Sequence, residues 1–218
     1  MKQVEDLIAQ LQKEMSEPLH PDLIPYMETN KGNWAMLRHP LVYQVPFFSN
    51  GKANAYYKYK KEEVAQTLEK KNYKQFVWLH ERPYRVEAFI KVADKLSDTD
   101  YWRLLSDVWI DTENQHAYLE QWKYLLDSDR SSKHYMMNEE EDQLLSSLPD
   151  KIIIYRGCQK GLNENGLSWT LDKSKAKFFA NRFGGEGIIL EKEISKSAVI
   201  AFLIGRGESE IIYKEEIA

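Results

Sequence analysis

The 218-residue chain has a single cysteine, Cys158, so it forms no internal disulfide. No stretch approaches the roughly 20 apolar residues that a membrane-spanning helix needs. Its first residues, Met1 to Met15, are charged and amphipathic and hold no apolar signal core. Together these absences lead to the expectation of a protein working in a reducing cytoplasm, with no membrane partner. A large charge excess is also missing. The formal net charge is −4, which gives the whole molecule no general attraction to nucleic acid or anionic lipid. There are no internal repeats and no low-complexity segments. The histidines (His20, His39, His80, His116 and His134) are scattered without ligand spacing, so no metal site is expected and they read as structural or surface residues.

What is present is a chain of two characters. Hydrophobic residues make up 43 %, with 6 Trp and 13 Tyr, enough to build a sizeable core. Residues 2–15 read as a short helix with Val4, Leu7, Ile8 and Leu11 on one face. Residues 16–50 carry five of the seven prolines, a density that predicts an irregular arm. Tyr26, Trp34, Tyr43, Phe47 and Phe48 favour an arm wrapped on the protein over a free tether. From about 59 to 147 the apolar spacing is helical, as in Val86, Phe89, Ile90 and Ala93. N-cap chemistry is offered at Asp98-Thr99-Asp100. Trp102, Trp109 and Trp122 fall on apolar stripes and read as core.

After Pro149-Asp150 the character changes. Lys151 to Tyr155 is short and β-branched and predicts a strand; 173–183 predicts a helix ended by Gly184-Gly185. Residues 187–194, 197–204 and 209–213 read as further strands. Helices followed by strands indicate an α+β fold rather than a repeating parallel unit. The expected organisation is an N-terminal helix and arm (1–50), a helical lobe (51–150) and a β-rich core (151–218), with 51–218 forming one domain. Residues 151–218 hold 11 Lys+Arg against 9 Asp+Glu, whereas residues 1–150 hold 19 against 25. A phosphate-bearing ligand belongs on the more basic part.

Three pieces of that part carry chemistry. Arg156 ends the first predicted strand, within Tyr155-Arg156-Gly157. Ser168-Trp169-Thr170 precedes the helix that contains Phe178, Phe179, Arg182 and Phe183. Glu208-Ser209-Glu210 enters the last strand. Each has an ordinary reading. A strand-end Arg makes ion pairs, a Ser-Trp-Thr before a helix is a turn and cap, and two glutamates at i, i+2 share a solvated strand face. Two like charges on one face also raise one pKa or receive a cationic substrate.

Taken together, in this order, the three pieces resemble the arginine–serine–glutamate class of mono-ADP-ribosyltransferases, the class of the clostridial binary toxins and of several phage effectors. The match covers 155–213. The resemblance implies a β core of two packed small sheets preceded by a helical lobe, with NAD as substrate and no metal. Arg156 would hold the phosphate and nicotinamide-ribose region, since Arg is a permanent bidentate cation. Gly157 would let the backbone reach the nicotinamide amide. Ser168 would support the nicotinamide pocket and orient Glu210, with Thr170 completing that strand. Glu210 would stabilise the oxocarbenium-like transition state, and Glu208 would face the acceptor. Phe179 would lie against nicotinamide, with core packing as its alternative; Arg182 would contact a phosphate and Asn165 a ribose or phosphate. Phe178 and Phe183 read as core.

The chain also departs from the pattern. Trp169 is larger than the usual middle residue, and the loop Gly205-Arg206-Gly207 before Glu208 is short, which leaves the acceptor open. Arg206 reads as a solvated turn residue, with an acceptor contact as the alternative. Cys158 reads as a small hydrophobe rather than a nucleophile. Tyr56-Tyr57-Lys58-Tyr59-Lys60-Lys61 interleaves rings and bases as nucleic-acid binders do, but in acidic surroundings. The resemblance implies transfer of ADP-ribose to a macromolecule, a protein side chain first and a nucleic acid second, in a phage or bacterial effector. NAD hydrolysis, with water as acceptor, and a non-catalytic binding protein on the same fold remain the alternatives.

Overall fold

The computed structural model describes residues 5–6, 9, 12, 14, 16–29, 35–44, 49–182, 184–205 and 207–215. These fall into two compact units, one ending at Asp94 and one beginning at Lys95. Glu5, Asp6, Ala9, Gln12, Glu14 and Ser16 are helical, while the apolar positions Val4, Leu7, Ile8 and Leu11 lie outside the described residues. So do Trp34, Phe47, Phe48, Phe183 and Arg206.

In the first unit the proline-rich segment is more regular than its composition implies. A 3-10 helix over Pro21–Tyr26 leads into a three-stranded antiparallel sheet of β1 (Met27–Thr29), β2 (Ala35–His39) and β3 (Val42–Gln44). Strands of three to five residues are too short for an alternating pattern to stand out. Helix α1 (Asn50–Glu69) follows, starting well before residue 59 because Ser49 caps it, its hydroxyl accepting from the Lys52 amide at 3.3 Å. Its buried positions Ala53, Tyr57, Lys60 and Thr67 keep helical spacing, yet two are polar, which hides the stripe from an apolar count. Leu23, Leu37, Leu41, Val42, Ala53 and Tyr57 form this unit's core. Helices α2 (Tyr73–Leu79) and α3 (Arg85–Val92) complete it, separated by a 3-10 turn over Arg82–Tyr84 that contains Pro83.

The second unit begins with α4 (Asp98–Asp111), α5 (Leu119–Leu126) and α6 (Glu139–Ser147). The cap of α4 sits one residue earlier than Asp98: the Ser97 hydroxyl accepts from the Asp100 amide at 3.2 Å. Trp102, Trp109 and Trp122 are fully buried, as their spacing predicts. Trp109 meets Trp122 edge-on, with ring centroids 4.9 Å apart. Asn138 and Glu141 form a reciprocal capping box at the start of α6, and Glu141 also accepts from the Ile204 amide at 2.9 Å.

The sheet comes next: β4 (Lys151–Gln159), β5 (Ser168–Thr170), β6 (Gly187–Ser195), β7 (Val199–Leu203) and β8 (Glu210–Tyr213), with α7 (Lys173–Asn181) between β5 and β6. All pairs are antiparallel, in the order β6-β4-β5-β8-β7. The molecule is therefore α+β. In place of two separate small sheets in 151–218, the strands form one five-stranded sheet. It consists of two ladders, β4–β6 and β5–β8–β7, joined at the single register pair Tyr155↔Thr170. Ile152, Ile154, Ile194, Phe202 and Ile211 form its core, each contributing about 2 kcal/mol by burial.

Helix α7 lies directly on the β4–β6 hairpin because small residues face each other there. A Cβ on Gly157 would stand 1.8 Å from the Ala176 carbonyl oxygen, and one on Gly187 would stand 2.2 Å from that of Ala180. Among the described residues no helix is long and apolar enough to cross a membrane.

Candidate functional site

Strand β4 carries Arg156 to the junction of the two ladders, beside the pair Tyr155↔Thr170. Its guanidinium is held by backbone carbonyls. Nε and Nη2 donate to the Asn163 oxygen at 3.0 and 2.8 Å, and Nη1 donates to the Ser168 oxygen at 2.5 Å. Gly166 lies against it, since a Cβ there would fall 1.9 Å from Nη2. The loop between β4 and β5 is thus folded around the side chain, with Asn163 in the left-handed region at φ 62°. Three of the five N–H groups are engaged, one each on Nε, Nη1 and Nη2, which among the described residues leaves one on each Nη. Burial lowers the Arg156 pKa from its ordinary value, and the Glu210 charge acts in the opposite direction. A guanidinium in such a balance stays cationic.

Strand β5 brings Ser168 between Arg156 and Glu210. The Ser168 carbonyl accepts from Arg156, and its hydroxyl donates to Glu210 Oε1 at 2.5 Å. Glu210 is buried, at 7 % exposure, and stands opposite Thr170 on one side and Leu203 on the other. Its Oε1 also accepts from the Trp109 indole at 3.2 Å. Thr170 is buried too, and its hydroxyl faces the backbone rather than open space. It donates to the Glu208 carbonyl at 2.6 Å and accepts from the Asp172 amide at 3.0 Å. That ties the loop ahead of β8 to the start of α7. Asp172, not Ser168 or Thr170, caps α7, accepting from the Ser174 amide at 2.7 Å.

Glu208 and Glu210 do not share a continuous strand face. Strand β8 begins at Glu210, and Ser209 sits in the left-handed region at φ 46°. Both glutamates nevertheless line one small cleft, with Ile110, Leu203 and Gly205. A non-glycine residue in this region costs about 1–2 kcal/mol, and such strain gathers where side chains must be aimed.

The remaining residues singled out from the sequence stand further along the loop and helix. Asn165 is exposed in the β4–β5 loop. Phe179 is half-buried on α7, its ring 5.5 Å from that of Phe178. Arg182 is the exposed C-cap of α7. Phe178 is 60 % exposed, so its reading as core is corrected: α7 turns Ala176 and Ala180 inward and leaves Phe178 on its outer side. Gly157 meets α7 closely, so helix packing is what its missing Cβ serves in this fold. Cys158 is buried and burial pushes its thiol pKa up, in keeping with a small hydrophobe.

Sequence reasoning missed three contributors. From α4 Trp109 reaches Glu210 and Ile110 lines the cleft, and the Asn163 carbonyl holds Arg156. A buried indole usually finds an acceptor, which was the available signal at Trp109, but a sequence does not say which acceptor. Comparison with protein-family models, with curated proteins and with solved structures finds no match to this chain.

Proposed function

We propose that this chain is a mono-ADP-ribosyltransferase that cleaves NAD, releases nicotinamide and transfers ADP-ribose to a macromolecule, a protein side chain in the first instance. One observation carries the reading. Ser168 links a permanent cation to a buried carboxylate, accepting from Arg156 through its carbonyl and donating to Glu210 through its hydroxyl. An anion-binding group and a cation-stabilising group a residue apart are what NAD cleavage requires. The helices ahead of an antiparallel sheet support the same assignment at the level of the fold.

The chemistry suits the residues. The two N–H groups left on Arg156 offer a fork to a phosphate oxygen pair. When the bond from ribose C1′ to the nicotinamide nitrogen breaks, its electron pair leaves with nicotinamide and neutralises the ring. Positive charge then grows on C1′ and the ribose ring oxygen, and the Glu210 carboxylate stabilises it. The acceptor's lone pair forms the new bond to C1′, and the acceptor loses a proton. Glu208, lining the same cleft, faces that acceptor and suits a cationic or proton-bearing one.

The test is incubation with labelled NAD in bacterial lysate, with nuclease and protease arms that tell a protein acceptor from a nucleic acid. Glu210→Gln keeps the fold and abolishes nicotinamide release. Equal release by a folded Glu210→Gln variant overturns the role of Glu210. Free ADP-ribose equal to the nicotinamide released, with no labelled macromolecule, assigns hydrolysis instead. No release of nicotinamide and no rise of Tm with NAD would reduce the chain to a non-catalytic fold.

A further inference from the structure

We infer that Trp109 is a positioning residue for Glu210: α4, through the Trp109 indole N–H, sets the orientation of the carboxylate and donates to its charged form. The inference rests on the reading of Glu210 as the carboxylate at the reacting carbon.

The geometry is specific. Two donors converge on one oxygen, Oε1 of Glu210: the Ser168 hydroxyl at 2.5 Å from β5 and the Trp109 indole at 3.2 Å from α4. They come from positions 42 and 101 residues away in the chain, so the carboxylate is held by two separate elements. The indole is itself immobilised. Trp109 has no exposed surface, and the Trp122 ring braces it edge-on at 72°. A serine hydroxyl rotates, whereas a packed indole has its donor in one place.

Glu210 is 7 % exposed, and burial favours a protonated carboxyl; donors to the charged form oppose that. The Arg156 cation also acts on this carboxylate and favours its charged form, and Glu208 lines the same cleft. Removing the indole donor shifts that balance towards the acid. It also frees the carboxylate to turn away from the position where charge develops.

Trp109→Phe keeps most of the ring and removes the N–H. The expected result is a loss of about tenfold in kcat for nicotinamide release, as for one donor to a charged group. KM for NAD stays within about twofold, because the loss belongs to the transition state. The acid limb of the pH–rate profile moves to higher pH, a change that looser packing alone does not produce. Trp102→Phe is the control: its indole, equally buried on α4, donates to the Ser131 carbonyl at 2.8 Å and not to Glu210, and the variant keeps kcat and the acid limb of wild type.

A folded Trp109→Phe protein with wild-type kcat and pH profile overturns the inference while the proposed function stands. A wild type that releases no nicotinamide overturns the proposed function instead. A readout independent of activity covers that case, and also the case where Trp109→Phe does not fold. With ¹⁵N-tryptophan, one of the six indole N–H resonances lies downfield in wild type, titrates with pH and moves upfield in Glu210→Gln. Absence of any such resonance overturns the inference.

Discussion

The indole of Trp109 and the hydroxyl of Ser168 donate to the same oxygen of Glu210, at 3.2 and 2.5 Å. The two donors are not equivalent. Ser168 also has its carbonyl on Arg156, so it couples the carboxylate to the cation, whereas Trp109 couples it to the helices.

Ser168→Ala separates those links. The backbone carbonyl that holds Arg156 stays, and only the donor to Glu210 is lost. The expected outcome is a fall of about 10- to 100-fold in kcat, with KM for NAD little changed and a stability loss of about 1–2 kcal/mol. Steady-state nicotinamide release and thermal unfolding measure the two. A drop in NAD affinity without a drop in kcat would contradict this division of roles.

Gly157 and Gly166 both sit against something a methyl group would strike, but with different consequences. At Gly157 the obstacle is the backbone of α7, which cannot yield locally. Gly157→Ala should therefore cost about 3 kcal/mol or more, read by denaturant unfolding. At Gly166 the obstacle is the end of the Arg156 side chain. Gly166→Ala should cost less than about 2 kcal/mol, yet raise the Kd for NAD about tenfold by displacing the guanidinium. Calorimetric titration with NAD checks the second effect; equal NAD affinity in a folded variant would remove Arg156 from NAD binding.

Ser209 holds a left-handed conformation between the two glutamates. Ser209→Gly relieves about 1–2 kcal/mol of folded-state strain and gives back part of it as unfolded-state entropy. The net expectation is a stabilisation of about 0.5–1 kcal/mol, measured as a higher Tm. A lower Tm would show that the Ser209 side chain contributes more than its backbone costs.

The first unit should lose stability in acid in two stages. His39 accepts the Leu41 amide on Nδ1 at 3.0 Å, which requires a neutral ring, and burial lowers its pKa to about 4. Burial lowers that of His80 as well. The unfolded chain takes up these protons near 6.5, the folded protein only lower. The contribution is therefore whole above about 6.5 and is lost as pH falls towards 4. Asp22, bonded to Tyr57 at 2.6 Å and Lys61 at 2.9 Å, has its pKa lowered to about 2 by those bonds. Its contribution disappears between 3.8 and about 2. Denaturant midpoints across pH 7 to 2 test this; His39→Gln should flatten the first stage and leave the second.

Local order was legible from the residues alone. β-branched Lys151–Tyr155, the helix that starts after Asp172, the breaks at Gly184-Gly185 and the three buried tryptophans all follow from periodicity and turn chemistry, which act over a few neighbours. So did the order of Arg156, Ser168 and Glu210 along the chain. Short strands β1–β3 escaped because three residues carry no readable alternation, and Phe178 was misassigned because a helix stripe does not say which of two adjacent rings turns inward.

What tertiary packing alone decided is how those pieces meet. The single pair Tyr155↔Thr170 merges two ladders into one sheet and sets Arg156 beside Ser168. Close approach of α7 gives Gly157 its place. The partner of Trp109 lies 101 residues away, and no local rule reaches that far. A buried donor usually finds an acceptor, but which one it finds depends on the whole fold around it.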